Sequence, residues 1–317
     1  MKRMTAAFLA ALLMLGAAAL SACTERMTAE PAVAQTDAAP VTETSEPKPA
    51  PVREELKDVT PGAKDGSFEC TYAGEKHKFT LCLPEETGEN MPLIIMLHGF
   101  GNTPDGFRSQ CRMDVDACAR GYAVAYAGSA TAEWNSGIGS MERDDVGYIS
   151  ALAKYLQREY GCSADMTFAA GFSNGGFMTQ RLAADAQDVF RAVGCVAGMM
   201  PKAIWDERAE TADIGVLEVY GTKDDVVPMN LTGTAAASVN PAIEDVMDYW
   251  AQANGLDKSE TVTLSGKAVL TKRTGEGKDN AVWTVVIDEG RHSWPDEKIA
   301  GFNVNQLLLD FFDGCAQ

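Results

Sequence analysis

Met166-Thr-Phe-Ala-Ala-Gly171-Phe-Ser173-Asn-Gly175-Gly176 decides how the rest of the chain is read. An apolar run of the kind that forms a buried strand stops at a glycine and a lone serine follows. Two more glycines then open a stretch whose Phe177, Met178 and Leu182 recur at helical spacing. The pattern is G-x-S-x-G, in which a serine is held on a sharp strand-to-helix turn. Its flanks must lack side chains because the two backbones pass closely there. In a chain with 29 glycines the bare pattern should arise by chance in roughly one such chain in ten and is weak alone, and its setting between an apolar strand and a helix gives it meaning.

Working outward, Phe68-Glu-Cys70-Thr-Tyr72 and Phe79, Leu81 and Leu83 alternate about a turn at Gly74, which predicts two antiparallel strands. Pro92-Leu-Ile-Ile-Met-Leu97 is a continuous apolar run, the mark of a strand buried on both faces. A helix carrying Phe107, Cys111 and Cys118 follows, ended by Gly121, and Tyr122-Ala-Val-Ala-Tyr-Ala127 is a further strand. Gly128 to Arg143 reads as a long loop. Asp144 or Asp145 then caps a helix bearing Val146, Ile149, Leu152 and Leu156.

Beyond the serine, the runs 190–197, 215–220 and 281–287 read as strands, 260–264 and 268–273 as short strands, and 241–254 and 303–312 as helices. Strands alternating with helices predict an α/β fold with a mostly parallel central sheet and helices on both faces. Ligands of such sheets bind at the carboxyl ends of the strands.

The two ends and the charge set the context. Residues 1–23 have Lys2 and Arg3, an apolar core from Ala6 to Leu20, and the ending Leu20-Ser-Ala-Cys23, which together read as a secretory signal. The ending resembles the lipobox of bacterial lipoproteins, making Cys23 the lipidated first residue of the mature chain; the alternative is an ordinary signal with an incidental cysteine. Residues 24–64 are rich in Ala, Pro, Thr and Glu and are expected to form a disordered tether, since they lack the apolar side chains that offset ordering entropy. Residues 65–317 are expected to be one domain.

A formal charge of −18 argues against nucleic acid and polybasic membrane contact. Cys111 and Cys118, on one helix, would lie about 10.5 Å apart along its axis and could not bridge each other. The pairing of the remaining cysteines is not readable, and no C-x-x-C spacing suggests a metal.

A serine hydroxyl is a weak nucleophile at neutral pH and needs a base within hydrogen-bond reach, oriented by a third group. The chain holds three histidines. His77 lies in the early hairpin, as a surface or space-filling residue, and His98 reads as a loop brace. His292 follows the last strongly apolar strand and is the expected base. Asp224 or Asp225 follows the strand ending at Tyr220 and supplies the acid. Ser173, Asp224 and His292 then run in the order serine, acid, histidine of α/β-hydrolases. The oxyanion formed during acyl transfer needs fixed donors. The backbone N–H groups of Asn174 and of Phe100, in the glycine-rich turn after His98, are the candidates. No cofactor or metal is required by this chemistry.

Leu97-His-Gly-Phe-Gly-Asn102, Asp144-Asp-Val-Gly-Tyr148, Gly171-Phe-Ser-Asn-Gly-Gly176, Gly221-Thr-Lys-Asp-Asp-Val-Val-Pro228 and His292-Ser-Trp-Pro295 together resemble the secreted polyhydroxybutyrate depolymerase and feruloyl esterase group of α/β-hydrolases, kin to acetylxylan esterases. The resemblance implies a catalytic Ser173 and His292, with the acid on Asp224. It also implies an oxyanion donor just after His98-Gly99. The chain departs from the pattern at Phe100, where many relatives have cysteine, at Tyr220, where histidine is frequent, and at Arg291, where glycine often precedes the base. These differences bear on substrate preference more than on catalysis.

Trp134 and Trp294 are candidates for stacking against a sugar ring or aromatic acyl group, or else for packing that fixes the His292 loop. The function expected from all of this is a serine esterase anchored outside the cytoplasm by lipid. Its expected substrates are feruloyl or acetyl esters on plant polysaccharide, with hydroxyalkanoate esters next. A non-catalytic binding lipoprotein on the same fold is the rival from another class.

Overall fold

Along the strand Met91–Leu97, Leu93, Ile95 and Leu97 pack into one apolar cluster and Ile94 and Met96 into another, all fully buried. A strand clothed on both faces must lie inside a sheet, and the fold is built around it. The computed structural model describes residues 53–138, 142–228 and 241–316. The expected signal, Cys23 and the tether as far as residue 52 lie outside the described residues.

In chain order the strands are β1 Lys57–Pro61, β2 Ser67–Tyr72, β3 Glu75–Cys82, β4 Met91–Leu97, β5 Ala123–Gly128, β6 Cys162–Phe172, β7 Ala192–Val196, β8 Gly215–Gly221, β9 Lys258–Ser265, β10 Ala268–Thr274 and β11 Val282–Ile287. The helices are α1 Pro104–Cys111, α2 Met113–Ala119, α3 Asp145–Tyr160, α4 Asn174–Asp185, α5 Lys202–Asp206, α6 Ile243–Ala253, α7 Glu297–Ala300 and α8 Val304–Cys315. The sheet runs β1-β2-β3-β5-β4-β6-β7-β8-β11-β10-β9. Its six central strands, from β5 to β11, are mutually parallel, and antiparallel strands extend both edges.

Buried residues of α3, α4 and α6 cover one face, and those of α1, α2 and α8 the other. This is the α/β-hydrolase arrangement expected from the sequence. Because β6, β8 and β11 are parallel, the loops leaving them open at one edge of the sheet. Ser173, Asp224 and His292 stand on those three loops.

Three expectations are corrected. The sheet begins inside the segment read as tether: Lys57–Pro61 pairs with β2, Leu56 is buried, and the Arg53 guanidinium donates to Asp188 Oδ1 and Oδ2 at 2.9 and 2.8 Å and to the Asp185 carbonyl. β1 carries Lys57, Asp58 and Pro61 and has a shifted register, features that protect a sheet edge and look like linker in a sequence.

The second correction concerns Cys111 and Cys118, which do not share a helix. Arg112 takes a left-handed conformation (φ 51°) and divides α1 from α2. The break is held by Arg108, whose Nε donates to Asp114 Oδ2 at 2.9 Å. Tyr126 Oη accepts from the Asp114 amide and donates to its carboxylate. All seven described cysteines are unbridged. The third correction, to both tryptophans, belongs to the site.

Candidate active site

β6 ends at Phe172, and Ser173 then adopts φ 54° and ψ −118°, a conformation that a non-glycine residue holds only when its surroundings impose it. What imposes it is close backbone contact. A Cβ built on Gly171 would stand 2.2 Å from the Gly175 carbonyl oxygen, and one on Gly175 would stand 2.1 Å from that of Leu97. Side chains at either position would force β4, β6 and α4 apart. The two outer glycines of G-x-S-x-G are therefore demanded by packing here.

The Ser173 hydroxyl lies 2.9 Å from His292 Nε2, and His292 Nδ1 lies 2.8 Å from Asp224 Oδ2. With Nδ1–H donating to the carboxylate, Nε2 is left as the acceptor of the serine proton. Asp224 Oδ1 accepts from the amides of Val226 and Val227 at 2.9 and 2.8 Å, so both carboxylate oxygens are engaged. The Asp224 side chain is 1% exposed, whereas neighbouring Asp225 faces solvent.

The loops bearing acid and base are tied directly to each other. The Lys223 amide donates to the Gly290 carbonyl at 2.8 Å, and a Cβ on Gly221 would stand 2.3 Å from that same oxygen. The acid–base distance is thus set by backbone contact.

The other two histidines sit apart from this chain of hydrogen bonds. His77 is buried, stacked on Tyr148 with ring centroids 3.7 Å apart, and Nδ1 donates to the Gly128 carbonyl. His98 is buried beneath the serine turn: Nδ1 donates to the Gly99 carbonyl at 2.8 Å and Nε2 accepts from the Ser129 amide. Burial lowers the pKa of both rings and favours the neutral forms these bonds require. They are a space-filler and a loop brace.

The turn after His98 lies against the serine, since a Cβ on Gly99 would come within 3.4 Å of Ser173 Cβ. Phe100, the next residue, exposes its ring. Asn174 opens α4, and its side chain ties down the loop over the site: Oδ1 accepts from the Trp134 amide at 2.7 Å and Nδ2 donates to Ser136 Oγ.

The tryptophans are corrected here. Trp134 is fully buried, with Nε1 donating to the His98 carbonyl. Trp294 is 8% exposed, packs edge-on against Phe107, and donates to Asn305 Oδ1. Neither ring offers a face to a substrate, and both fix loops that carry the site. Asp144 caps α3 by accepting from the Gly147 amide, the role expected of it or of Asp145, whereas Asp145 accepts from the Asn135 amide instead.

A crevice beside His292, lined in part by Ala197, Tyr220, Ile287, Arg291, Ser293 and Pro295, opens between the ends of β7, β8 and β11. Glu218, buried on β8, is a residue that pattern-reading passed over. A lone acid inside the apolar run 215–220 was the available signal.

A family model described as esterase PHB depolymerase matches residues 78–240, just over half of the chain. The chain belongs to the esterase PHB depolymerase family. The match takes in Ser173 and Asp224 and stops short of His292.

This member of the esterase PHB depolymerase family is 27% identical over 230 residues to a putative esterase, NocK, of Nocardia uniformis subsp. tsuyamanensis, covering 65% of this chain and 66% of the relative. It is 28% identical over 159 residues to a probable feruloyl esterase C of Aspergillus niger, covering 48% and 57%. The chain thus spans less than two thirds of the length of these relatives. In fold it is similar to an acetyl xylan esterase from Aspergillus awamori, with a TM-score of 0.56 at 14% identity over 75% of this chain and 94% of that one.

Proposed function

We propose that this chain is a serine carboxylic-ester hydrolase. The observation that carries the reading is the unbroken run Asp224–His292–Ser173, with links of 2.8 and 2.9 Å. Ser173 attacks the ester carbonyl while His292 takes its proton, and Asp224 holds the imidazole and stabilises the imidazolium that forms. The amides of Asn174, at the start of α4, and of Phe100, in the turn packed against Ser173, bind the oxyanion. His292 returns the proton to the departing alcohol. Water, deprotonated by the same imidazole, then releases the acid from Ser173. No cofactor enters this sequence.

The substrates we assign are feruloyl or acetyl esters of plant polysaccharide, on the strength of the motifs and of relatives named for such esters. Hydroxyalkanoate polyesters are the second reading, favoured by the family's own description. The chain works outside the cytoplasm, exported by residues 1–23 and held to a membrane through lipid on Cys23, with the segment that follows as a tether.

The test is the initial rate of methyl ferulate hydrolysis by the full chain, with Ser173→Ala as blank and acetylated xylan and a hydroxybutyrate oligomer as parallel substrates. Hydrolysis above the blank supports the serine mechanism, and the fastest substrate sets the class. If all three match the blank and a serine-reactive phosphonate fails to label the chain, it is a binding protein with an idle triad.

A further inference from the structure

Glu218 lies midway along β8, between Leu217 and Val219, and is 1% exposed. A carboxyl group so placed needs a cation or several donors if it is to stay charged. Among the described residues no cation pairs with it. Oε2 accepts one hydrogen bond, from Gln180 Nε2 at 3.0 Å, and Oε1 has no partner. Gln180 belongs to α4, the helix that begins directly after Ser173, and its own Oε1 accepts from Trp250 Nε1 on α6 at 2.8 Å. Alongside, Cys195 is the register partner of Glu218 on β7, and its sulfur fills the gap beneath Gly176 on the first turn of α4, where an added Cβ would stand 3.0 Å away. Three residues beyond Glu218, β8 ends and leads into the Asp224 loop. A buried polar chain therefore joins the strand leading to Asp224 to the helix that starts at Ser173.

We propose that Glu218 is a positioning residue which, as the uncharged acid, fastens α4 to β8 and so sets Ser173 against Asp224 and His292, and that its ionisation loosens this fastening. The inference rests on the serine-triad reading and adds a control to it. The groups facing Glu218 are Cys195 from β7, Thr284 from β11 and Gln180 from α4; Thr179 of α4 lies against Cys195, Trp250 of α6 is bonded to Gln180, and Tyr220 follows on β8. The nearer charges lie at the rim: Arg273, which donates to Thr284 Oγ1, and Glu244, which accepts from Tyr220 Oη. Burial pushes the Glu218 carboxyl up to about 8, against the opposing pull of the Cys195 thiol beside it and of the Gln180 amide bonded to it. Burial likewise keeps the Cys195 thiol protonated. The acid form is thus the working form at neutral pH, and the anion above it has one donor and no counter-charge.

Two variants of the full chain test this. Glu218→Gln keeps an acceptor for Gln180 and cannot ionise, whereas Glu218→Leu cannot ionise and removes the acceptor. With the best ester substrate, native kcat/KM is expected to fall about tenfold per pH unit above about 8, while the Gln variant stays level to about pH 9.5. The Leu variant is expected to lack this alkaline limb as well, but to have a lower kcat at an unchanged KM at about pH 7.

Amide exchange in 174–185 gives a readout that needs no activity. Folded Glu218 keeps its proton up to about 8, and the opened segment loses it near 4.5. Opening therefore becomes easier as pH rises between those values and levels off beyond. Protection of α4 in native protein should fall behind that of the Gln variant across that window, by about tenfold or more at its upper end. A Gln variant that follows the native alkaline limb overturns the proposal, as does equal α4 protection at every pH. If native protein hydrolyses no ester above the Ser173→Ala blank, the esterase reading is what has failed, and amide exchange alone then decides the role of Glu218.

Discussion

Asp224 is marked out from Asp225 by what its two oxygens do. Oδ2 meets His292, Oδ1 takes two amides, and the carboxylate is shut away from water, whereas Asp225 faces solvent. An Asn at 224 could offer its NH₂ to Nδ1, forcing the ring into the tautomer with the proton on Nε2, where it cannot accept from serine. Asp224→Asn is accordingly expected to lower kcat by about 10⁴-fold with modest effect on KM. Asp225→Asn should stay within about twofold of native. Steady-state rates of ester hydrolysis measure both, and comparable losses from the two substitutions would overturn the assignment. Sequence alone left this choice to a family resemblance, because two adjacent aspartates in a turn have the same local chemistry. Only the fold distinguishes the one turned inward. Glu218 shows the converse, an acid whose setting among Val216, Leu217 and Val219 was visible beforehand and whose partner, Gln180 on another element, was not.

At the scale of elements, the central strands are legible because burial on both faces demands unbroken apolar runs, and the serine turn is legible because backbone contact demands glycine. The break at Arg112 has no such signature. It is stabilised by Asp114 and Tyr126, and no glycine marks it. Trp294 was ambiguous for a related reason, since a tryptophan beside a base suits stacking and packing equally until its burial is known. Its ring packs against Phe107 on α1 and its N–H reaches Asn305 on α8, so it anchors the loop that carries His292. Trp294→Ala is expected to destabilise the fold by about 3–5 kcal/mol and to lower kcat while leaving KM near native. Urea titration alongside ester kinetics reads both quantities. A variant of native stability with only KM raised would instead make the ring a substrate platform.

For the whole molecule, the question is where the folded body begins. Composition alone puts the start at 65, since Lys57-Asp-Val-Thr-Pro61 has the charge and proline content of a linker. Sheet edges favour the same residues for a different reason: charge, proline and a bulge keep other chains from pairing with them. β1 covers β2, whose Cys70 and Tyr72 are buried, and the residues just before it add Leu56 to the core and the Arg53 hydrogen bonds to Asp188. A chain begun at Arg53 keeps all of this, and one begun at Asp65 loses it. The loss should cost on the order of 3 kcal/mol, from burial of one leucine and a guanidinium bonded to a carboxylate and a carbonyl. It also uncovers β2 as a sheet edge, so the shorter chain is expected to self-associate as well as melt earlier. Thermal melts and sedimentation of the two proteins side by side test this. Equal melting temperatures and equal monomer fractions would return residues 53–64 to the tether and make β1 a passive edge.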